Sequence, residues 1–496
     1  MLLTSLLRNI EYTVSNGDPS ACEVSSFCHD SRLATDTSLF VCIKGSVADG
    51  HDFALQAYSK GCRCFLAEKP LSLPGDACVL ITGSTRIGLA EIAAEFYGYP
   101  SKKLHVVGIT GTKGKTTSAL TAYTLLNSAG ISTGYIGSNG IMYSDKKYHT
   151  ANTTPESSEL QRHMFNMLSD GVRYLIMEVS SQAIYMDRIH GIKFETVAFT
   201  NLYEDHIGGA EHPTFEHYRD SKRRLFNEYE SENVICNADD PYSEYMISQC
   251  KSKNKISFSA KGNESASIYA ENVHSTESDN ALGVSFDACE GDNRINAFVP
   301  MPGTFSVYNA LLALAICKTA GIETSAAIKS LAHASAEGRF EAVPVPTGAT
   351  FIIDYAHNGA SLTAALTALK EYSPNRLICL FGSVGGRTFG RRRELALAAS
   401  SLADLCILTS DNPDFEPPED IIDDIASHFS SKDSCPFVKI PDRRDAIRFA
   451  LANAKKGDIV LLAGKGHEDY QLVCGKKLPF SERSIIKEAI LELTTI

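Results

Sequence analysis

The sequence predicts an α/β protein built on parallel sheets, and three observations lead there. Short β-branched runs alternate with helical stretches along most of the chain. This is the pattern of strands joined by crossover helices. Most of the strand-like runs end in a polar cluster: GTKGKTT, EVSSQ, NLYEDH, NADD, DYAHN, GSVGGR, SDNPD and GKGHE. In open α/β sheets, ligands sit beyond the carboxyl ends of the strands. The third observation is the break at FYGYPSKKLHV, where Pro100 and the polar residues after it interrupt the periodicity.

Taken in order, residues 1–100 form a first domain with runs such as SLFVCIKG and CRCFLAE. The leucine-rich start, MLLTSLLRNIEYTV, reads as a short amphipathic helix without signal-peptide features. Residues 101–335 form a second domain, with strands expected at HVVGIT, YLIMEVS, TVAFTNL and NVICNAD. The polar stretch SAKGNESASIYAENVHSTESDNALG is expected to be a small β-rich insertion or loop. Residues 336–496 form a third domain that repeats the alternation with FIIDYAH, RLICLFG, LCILTSD and DIVLLAGKGH.

Composition excludes several classes. Of the 496 residues, 44% are hydrophobic, enough for a sizeable core. A net charge of -12 argues against nucleic acid or an anionic membrane surface as the main partner. No run approaches a membrane span. The 14 cysteines lack C-x-x-C pairs and zinc spacing, which suits reduced thiols in the cytoplasm. A monomer is the expected state.

The densest chemistry lies in GITGTKGKTTSAL. The strict phosphate-loop pattern G-x-x-x-x-G-K-[ST] fails by one residue, because Ile109 stands where a glycine would be. The working parts are present: Gly111, Thr112, Lys113, Gly114, Lys115, Thr116 and Thr117, between a strand and a helix. Glycines let backbone N–H groups approach phosphates, and the helix N-terminus favours an anion. Lys115 would reach the outer phosphates of ATP, with the Thr116 hydroxyl toward Mg²⁺. Glu178 in LIMEVSSQ, with Asn201, Asp205 and His206 in FTNLYEDHIG, falls at further strand ends. A carboxylate and an imidazole there suit a Mg²⁺ ion bridging ATP and substrate. DHIG also fits D-x-x-G, but no N-K-x-D follows, so a guanine-specific GTPase is not expected.

This loop resembles that of the Mur ligase family, the amide-forming enzymes of peptidoglycan synthesis. Further matches are YRDSKRRLF with Lys222, NADD (Asn237–Asp240), GTFSVYNALLALA with Asn309, GRFE with Arg339, and DYAHN with Asp354 and His357. The resemblance covers most of residues 105–470. It implies three domains, with a central ATP-binding sheet and a Rossmann-like C-terminal domain. It also implies a carbamylated Lys222 holding a second Mg²⁺. Asn309, Arg339 and Asp354 would bind the nucleotide, and Lys115, Lys222, Arg339 and His206 would serve catalysis.

The N-terminal HDSRLATDTSLFVCIKGSVADGHDF resembles the uridine-binding region of family members that add the third or a later peptide residue. Asp30, Ser31 and Arg32, with Gly45–Gly50, would face the UDP group. NTTPE, supplying Asn152, Thr153 and Thr154, joins Ser180 and Arg188 as a site for a muramoyl-L-Ala-D-Glu tail. SDNPDFEPP, LLAGKGHEDYQ and PFSER resemble the members that add a diamino acid. That assigns Asp411, Asn412, Asp414, Gly464 and Glu468 to the acceptor, and Arg392 to its α-carboxylate. Arg387, Arg391 and Arg393 are further candidates for a carboxylate. Members using meso-diaminopimelate usually read D-N-P-R. Asp414 would repel a distal carboxylate, so the departure favours L-lysine, with meso-diaminopimelate as the alternative. The implied partners are a UDP-N-acetylmuramoyl dipeptide and a free diamino acid. The expected route is an acyl phosphate that the third domain closes over and shields from water.

Overall fold

The computed structural model describes residues 1–45, 48–204, 207–208, 211–278, 281–429 and 435–494. By internal contacts the chain divides into two compact units. One comprises Met1–Ala119 and Ala129–Ser257, the other Leu120–Ser128 and Phe258–Ile496.

The first unit carries two sheets. Strands β1 (Thr13–Asn16), β2 (Ser26–Cys28), β3 (Ser38–Val41), β4 (Cys64–Ala67) and β5 (Cys78–Ile81) form a sheet of order β1-β5-β4-β3-β2. All its pairs are parallel except β1 with β5. Alternate residues feed two cores, Leu39, Val41, Leu66 and Leu80 on one face, Phe40, Phe65 and Val79 on the other. A sheet buried on both faces explains why these strands read as unbroken apolar runs. Six strands, β6 (His105–Thr110), β7 (Thr133–Gly137), β8 (Gly140–Tyr143), β9 (Lys146–Tyr148), β10 (Tyr174–Glu178) and β11 (Thr196–Phe199), join β12 (Asn233–Asn237) in the second sheet. These seven run in the order β12-β11-β6-β10-β7-β8-β9 within an eleven-stranded sheet, parallel from β12 to β7 and antiparallel beyond. The tips of β11, β6 and β10 are therefore neighbours.

Strand β13 (Asn254–Ser259) leads into β14 (Ile268–Ser278), β15 (Ala281–Glu290) and β16 (Asn293–Val299). The last three are antiparallel, so the polar stretch forms the expected β-rich insertion. The helix Thr304–Thr319 is apolar almost all round, and eleven of its residues are buried; such a helix belongs in a core. The last sheet joins β17 (Glu341–Val343), β18 (Thr350–Asp354), β19 (Leu377–Phe381), β20 (Leu405–Leu408), β21 (Phe437–Lys439) and β22 (Ile459–Ala463) in the order β17-β18-β22-β19-β20-β21. Only β17 is antiparallel. Alternate residues again face two cores, Cys379, Phe381 and Leu461 against Ile378, Leu380 and Leu462. A hairpin of β23 (Tyr470–Val473) and β24 (Lys476–Pro479) follows. Among the described residues no helix is long and apolar enough to cross a membrane.

Candidate active site

The first unit gathers its chemistry at the tips of β6, β10 and β11. The loop after β6 turns at Gly111, where φ is 144°. A Cβ there would lie 1.9 Å from Thr200 Oγ1, so only glycine lets the loop pack against the tip of β11. That neighbour pins the loop. Lys113 N donates to Asn201 Oδ1 at 2.9 Å, Thr112 N donates to Asn201 O at 2.9 Å, and Thr200 Oγ1 donates to Lys113 O at 2.7 Å. Lys115 opens the helix Lys115–Ser128 and folds back, its Nζ donating to Gly111 O at 2.9 Å and Thr112 O at 3.0 Å. Thr117 lies in the same first helical turn, half-buried.

The helix Phe215–Asn227 presents Tyr218, Ser221, Lys222, Leu225 and Phe226 to the interior, the face its periodicity predicts. Lys222 is fully buried, donates to Gly111 O at 2.9 Å, and lies 4.4 Å from the Tyr218 ring centre. The Tyr218 hydroxyl donates to Thr112 Oγ1 at 3.0 Å. Two lysines thus converge on the carbonyl of Gly111.

Glu178, at the tip of β10, is completely buried. Its Oε2 accepts from Thr116 Oγ1 at 2.9 Å, and its Oε1 accepts from Tyr135 OH at 2.6 Å and Ser138 N at 2.9 Å. A Cβ on Gly137 would come within 2.2 Å of that carboxylate, so β7 ends in glycine to admit it. Behind it, Thr154 Oγ1 donates to Glu178 O at 2.9 Å and accepts from Ser180 N at 3.0 Å. Arg188 donates to Thr154 O at 3.2 Å and faces Glu156 at 3.6 Å. Burial lowers the Arg188 pKa, against the pull of Glu156. Thr153 Oγ1 lies 3.1 Å from Ser138 Oγ, and Asn152 is exposed. The expected residues Glu178, Thr154, Ser180 and Arg188 are thus one connected network. His206 and Asp205 lie outside the described residues, as do Ser46 and Val47 of the Gly45–Gly50 segment.

In the N-terminal sheet region, Ser31 Oγ donates to Gln56 Oε1 at 2.6 Å. Arg32 grips Asp30 and holds its carboxyl down at about 2.

The second unit gathers polar groups at the tips of β22, β19 and β20, which are adjacent. Asn412 Nδ2 donates to Glu468 Oε2 at 3.0 Å. Between them lies Lys465, 0% exposed, donating to Asn412 Oδ1 at 2.8 Å and Glu468 Oε2 at 3.0 Å, and 3.4 Å from Asp411 Oδ1. Gly464 has φ 110° and donates its N–H to Asp354 O at 3.1 Å. Beneath the cluster, Arg443 donates to Glu482 Oε1 at 2.8 and 2.9 Å, to Ala463 O at 2.9 Å and to Ser410 O at 3.3 Å. One buried ion pair therefore braces the ends of two strands.

Two acceptor-side assignments look different in three dimensions. Arg392 lies in the helix Phe389–Leu402, buried, with its fork filled by Glu416 at 2.7 and 2.9 Å and by Asp424 at 3.1 Å. Arg387, on the loop after β19, is exposed, and that loop is tied to Asn412 by the bond from Gly385 N at 3.0 Å. Asp414 sits in the left-handed region, φ 54°, with its Oδ1 accepting from Gly475 N at 2.7 Å. Its backbone pairs with Leu472 and Cys474. The carboxylate holds the β23–β24 hairpin. Asp354 accepts from Phe340 N and Ala356 N, each at 2.9 Å; burial raises its pKa, against the pull of Arg339. The Arg339 guanidinium lies 4.7 Å from the Tyr355 ring centre. Asn309 is buried on the helix Thr304–Thr319.

Tyr135, Ser138, Arg443, Lys465, Gln471 and Glu482 were not singled out by the sequence. Gln471 donates to Ser410 Oγ at 3.1 Å and Asp411 O at 2.8 Å. Lys465 and Gln471 had a local signal in LLAGKGHEDYQ, and Glu482 had one in PFSER.

A glycine-turned loop at a parallel strand tip, with two lysines at its carbonyls and a hydroxyl–carboxylate pair beside it, defines a phosphate-loop enzyme of the α/β class. The Mur ligase middle domain matches residues 109–317, and the Mur ligase, glutamate ligase domain matches residues 338–466. The chain belongs to the Mur ligase family. It is 38% identical over 494 residues to the UDP-N-acetylmuramoyl-L-alanyl-D-glutamate–2,6-diaminopimelate ligase of Caldanaerobacter subterraneus subsp. tengcongensis, covering 99% of each chain. It is also 38% identical to ligase 1 of that name from Clostridium acetobutylicum, over 99% of this chain and 100% of the relative. A solved structure of a UDP-N-acetylmuramoyl-L-alanyl-D-glutamate–2,6-diaminopimelate ligase superposes with TM-score 0.71 at 25% identity, covering 100% of this chain and 99% of the other. The fold is the three-domain architecture of that family, and the enzyme is an ATP-dependent, ADP-forming ligase.

Proposed function

We propose that this enzyme joins a diamino acid to the D-glutamyl γ-carboxylate of UDP-N-acetylmuramoyl-L-Ala-D-Glu in peptidoglycan precursor synthesis, in the cytoplasm, with 2,6-diaminopimelate as acceptor. Supporting this is full-length identity of 38% to two relatives named for that substrate pair. The preference for L-lysine read from Asp414 gives way. Its carboxylate caps Gly475 N, so a turn accounts for the residue without a role in selecting the acceptor. Arg387, exposed on the loop whose Gly385 N bonds to Asn412 O, is the better candidate for an acceptor carboxylate than Arg392, whose fork is filled.

A γ-carboxylate oxygen attacks the γ-phosphorus of ATP and ADP leaves. The acceptor amine attacks the acyl carbon, the C–O bond to phosphate breaks, and the nitrogen loses its proton. Lys115 would hold phosphate charge as it builds. Thr116 and Glu178 would hold Mg²⁺, which supplies neutralisation of phosphate charge. Two hard oxygen donors side by side suit that ion. Lys222 is proposed as the carbamylated lysine, with His206 as a further metal ligand. Asn309, Arg339 and Asp354 are assigned to the nucleotide. Ser31 is assigned to the UDP group, and Asn152, Thr153, Thr154, Ser180 and Arg188 to the dipeptide. The domain boundaries proposed are 1–100, 101–335 and 336–496.

The test is phosphate release with ATP, Mg²⁺ and the UDP-dipeptide, adding meso-diaminopimelate or L-lysine in parallel. Turnover with diaminopimelate is expected; turnover with L-lysine alone would reinstate Asp414 as selector.

A further inference from the structure

Lys465 lies at the centre of the β20–β22 tip cluster and has no substrate role assigned to it. Its ammonium is fully enclosed, and its partners Asp411, Asn412 and Glu468 are the residues assigned to the acceptor. A buried ammonium is tolerated only when hydrogen-bonded and charge-paired. Here the pairing has direction. Lys465 Nζ and Asn412 Nδ2 both donate to Glu468 Oε2, each at 3.0 Å. No hydrogen bond to Glu468 Oε1 occurs among the described residues. Asn412 is itself fixed, its Oδ1 accepting from Leu472 N at 2.9 Å as well as from Lys465. One ammonium among two carboxylates leaves the cluster with one negative charge in excess.

We propose that Lys465 is a positioning residue for acceptor recognition. It locks Glu468 through Oε2, so that Oε1 meets the side-chain ammonium of the incoming diamino acid. The excess negative charge then needs that second amine, and an acceptor without it leaves the carboxylate unpaired. The proposal rests on the diamino-acid reading above.

The experiment measures KM for diaminopimelate, ATP and the UDP-dipeptide in wild type, Lys465→Met, Glu468→Gln and the double variant, with 2-aminopimelate as the acceptor lacking the distal amine. Lys465→Met is expected to raise the diaminopimelate KM by about 30-fold and to shrink the preference over 2-aminopimelate, as loss of a buried charged partner does. The other two KM values should stay within about twofold. Because Lys465 acts through Glu468, the double variant should be no worse than Glu468→Gln alone. Additive losses, or an equal rise in all three KM values, would overturn the proposal in favour of a purely structural lysine. Should Lys465→Met not fold, Asn412→Ala removes the bridge to Glu468 and is read by the same KM split. If wild type uses L-lysine, norleucine replaces 2-aminopimelate on the same variants. No wild-type turnover with any diamino acid would overturn the function and this inference together.

Discussion

The phosphate loop and the Lys465 cluster each sit on the tips of three adjacent parallel strands, yet they are assembled differently. The loop is one run, Gly108–Thr116, whose main-chain groups bond to Thr200 and Asn201 at the neighbouring strand tip. The cluster draws on loops after β20 and β22, and its Asn412–Glu468 bond spans 56 residues of sequence. In the loop, the lysines described bond to main-chain carbonyls; in the cluster, the lysine bonds to side chains. Loop geometry therefore depends on glycine and on where the loop's main-chain groups lie against Thr200 and Asn201, whereas cluster geometry depends on a chain of polar and charged side chains bonded to one another. Substitutions should expose that difference.

The largest effect is expected beneath the cluster. Arg443 and Glu482 are 0% and 1% exposed, and Glu482 Oε2 has no hydrogen-bond partner among the described residues, so the pair has little reserve. Arg443→Met should cost about 3–5 kcal/mol of stability, because it leaves a buried carboxylate alone. The double change Arg443→Met/Glu482→Leu should recover most of this. Urea midpoints decide it, and a mild single-variant loss would show that the brace is dispensable.

Next in size is Lys115→Ala. Loss of the cation proposed to hold developing phosphate charge should lower kcat about 10²–10³-fold. Calorimetric binding of the UDP-dipeptide should be nearly unchanged. If that binding disappears as well, the loop holds the fold together and the contrast with the cluster fails.

Thr154→Val probes a side-chain network inside the first unit. The hydroxyl serves Glu178 O and Ser180 N in a fully buried position. Its loss should cost about 2 kcal/mol by denaturant titration, the usual penalty for stranding buried polar groups. An unchanged midpoint would mean that water takes over both bonds.

The same contrast explains what was legible in the sequence. The strands were legible because sheets buried on both faces produce unbroken apolar runs, as at LICLF and IVLLA. The loop was legible because its glycines, lysines and threonines are contiguous. The 3.6-residue period puts Tyr218, Leu225 and Phe226 on one helical face, but Lys222, one turn after Tyr218, was singled out only by the family resemblance. The pairing of Arg443 with Glu482 was not legible: each opens an ordinary amphipathic helix, Glu482 stood out only as part of PFSER, and the pair depends on a tertiary contact 39 residues apart. Arg392 was misleading for the same reason, since its partners Glu416 and Asp424 lie on the next turn and helix along the chain. Charge at a motif position says what a side chain could bind; only the packing says whether it is already taken.

The smallest expected effect settles that point for Asp414. Its carboxylate accepts from Gly475 N at 2.7 Å, and its φ of 54° lies where aspartate and asparagine are the best-tolerated side chains. Asp414→Asn should therefore be nearly silent, because the amide oxygen keeps the bond. Asp414→Ala should cost about 1 kcal/mol through the lost cap, with the ratio of diaminopimelate to L-lysine turnover unchanged. A selector by charge predicts the opposite order: Asn would already shift the ratio toward diaminopimelate, by relieving repulsion of the distal carboxylate, and the hairpin would keep its stability in both variants.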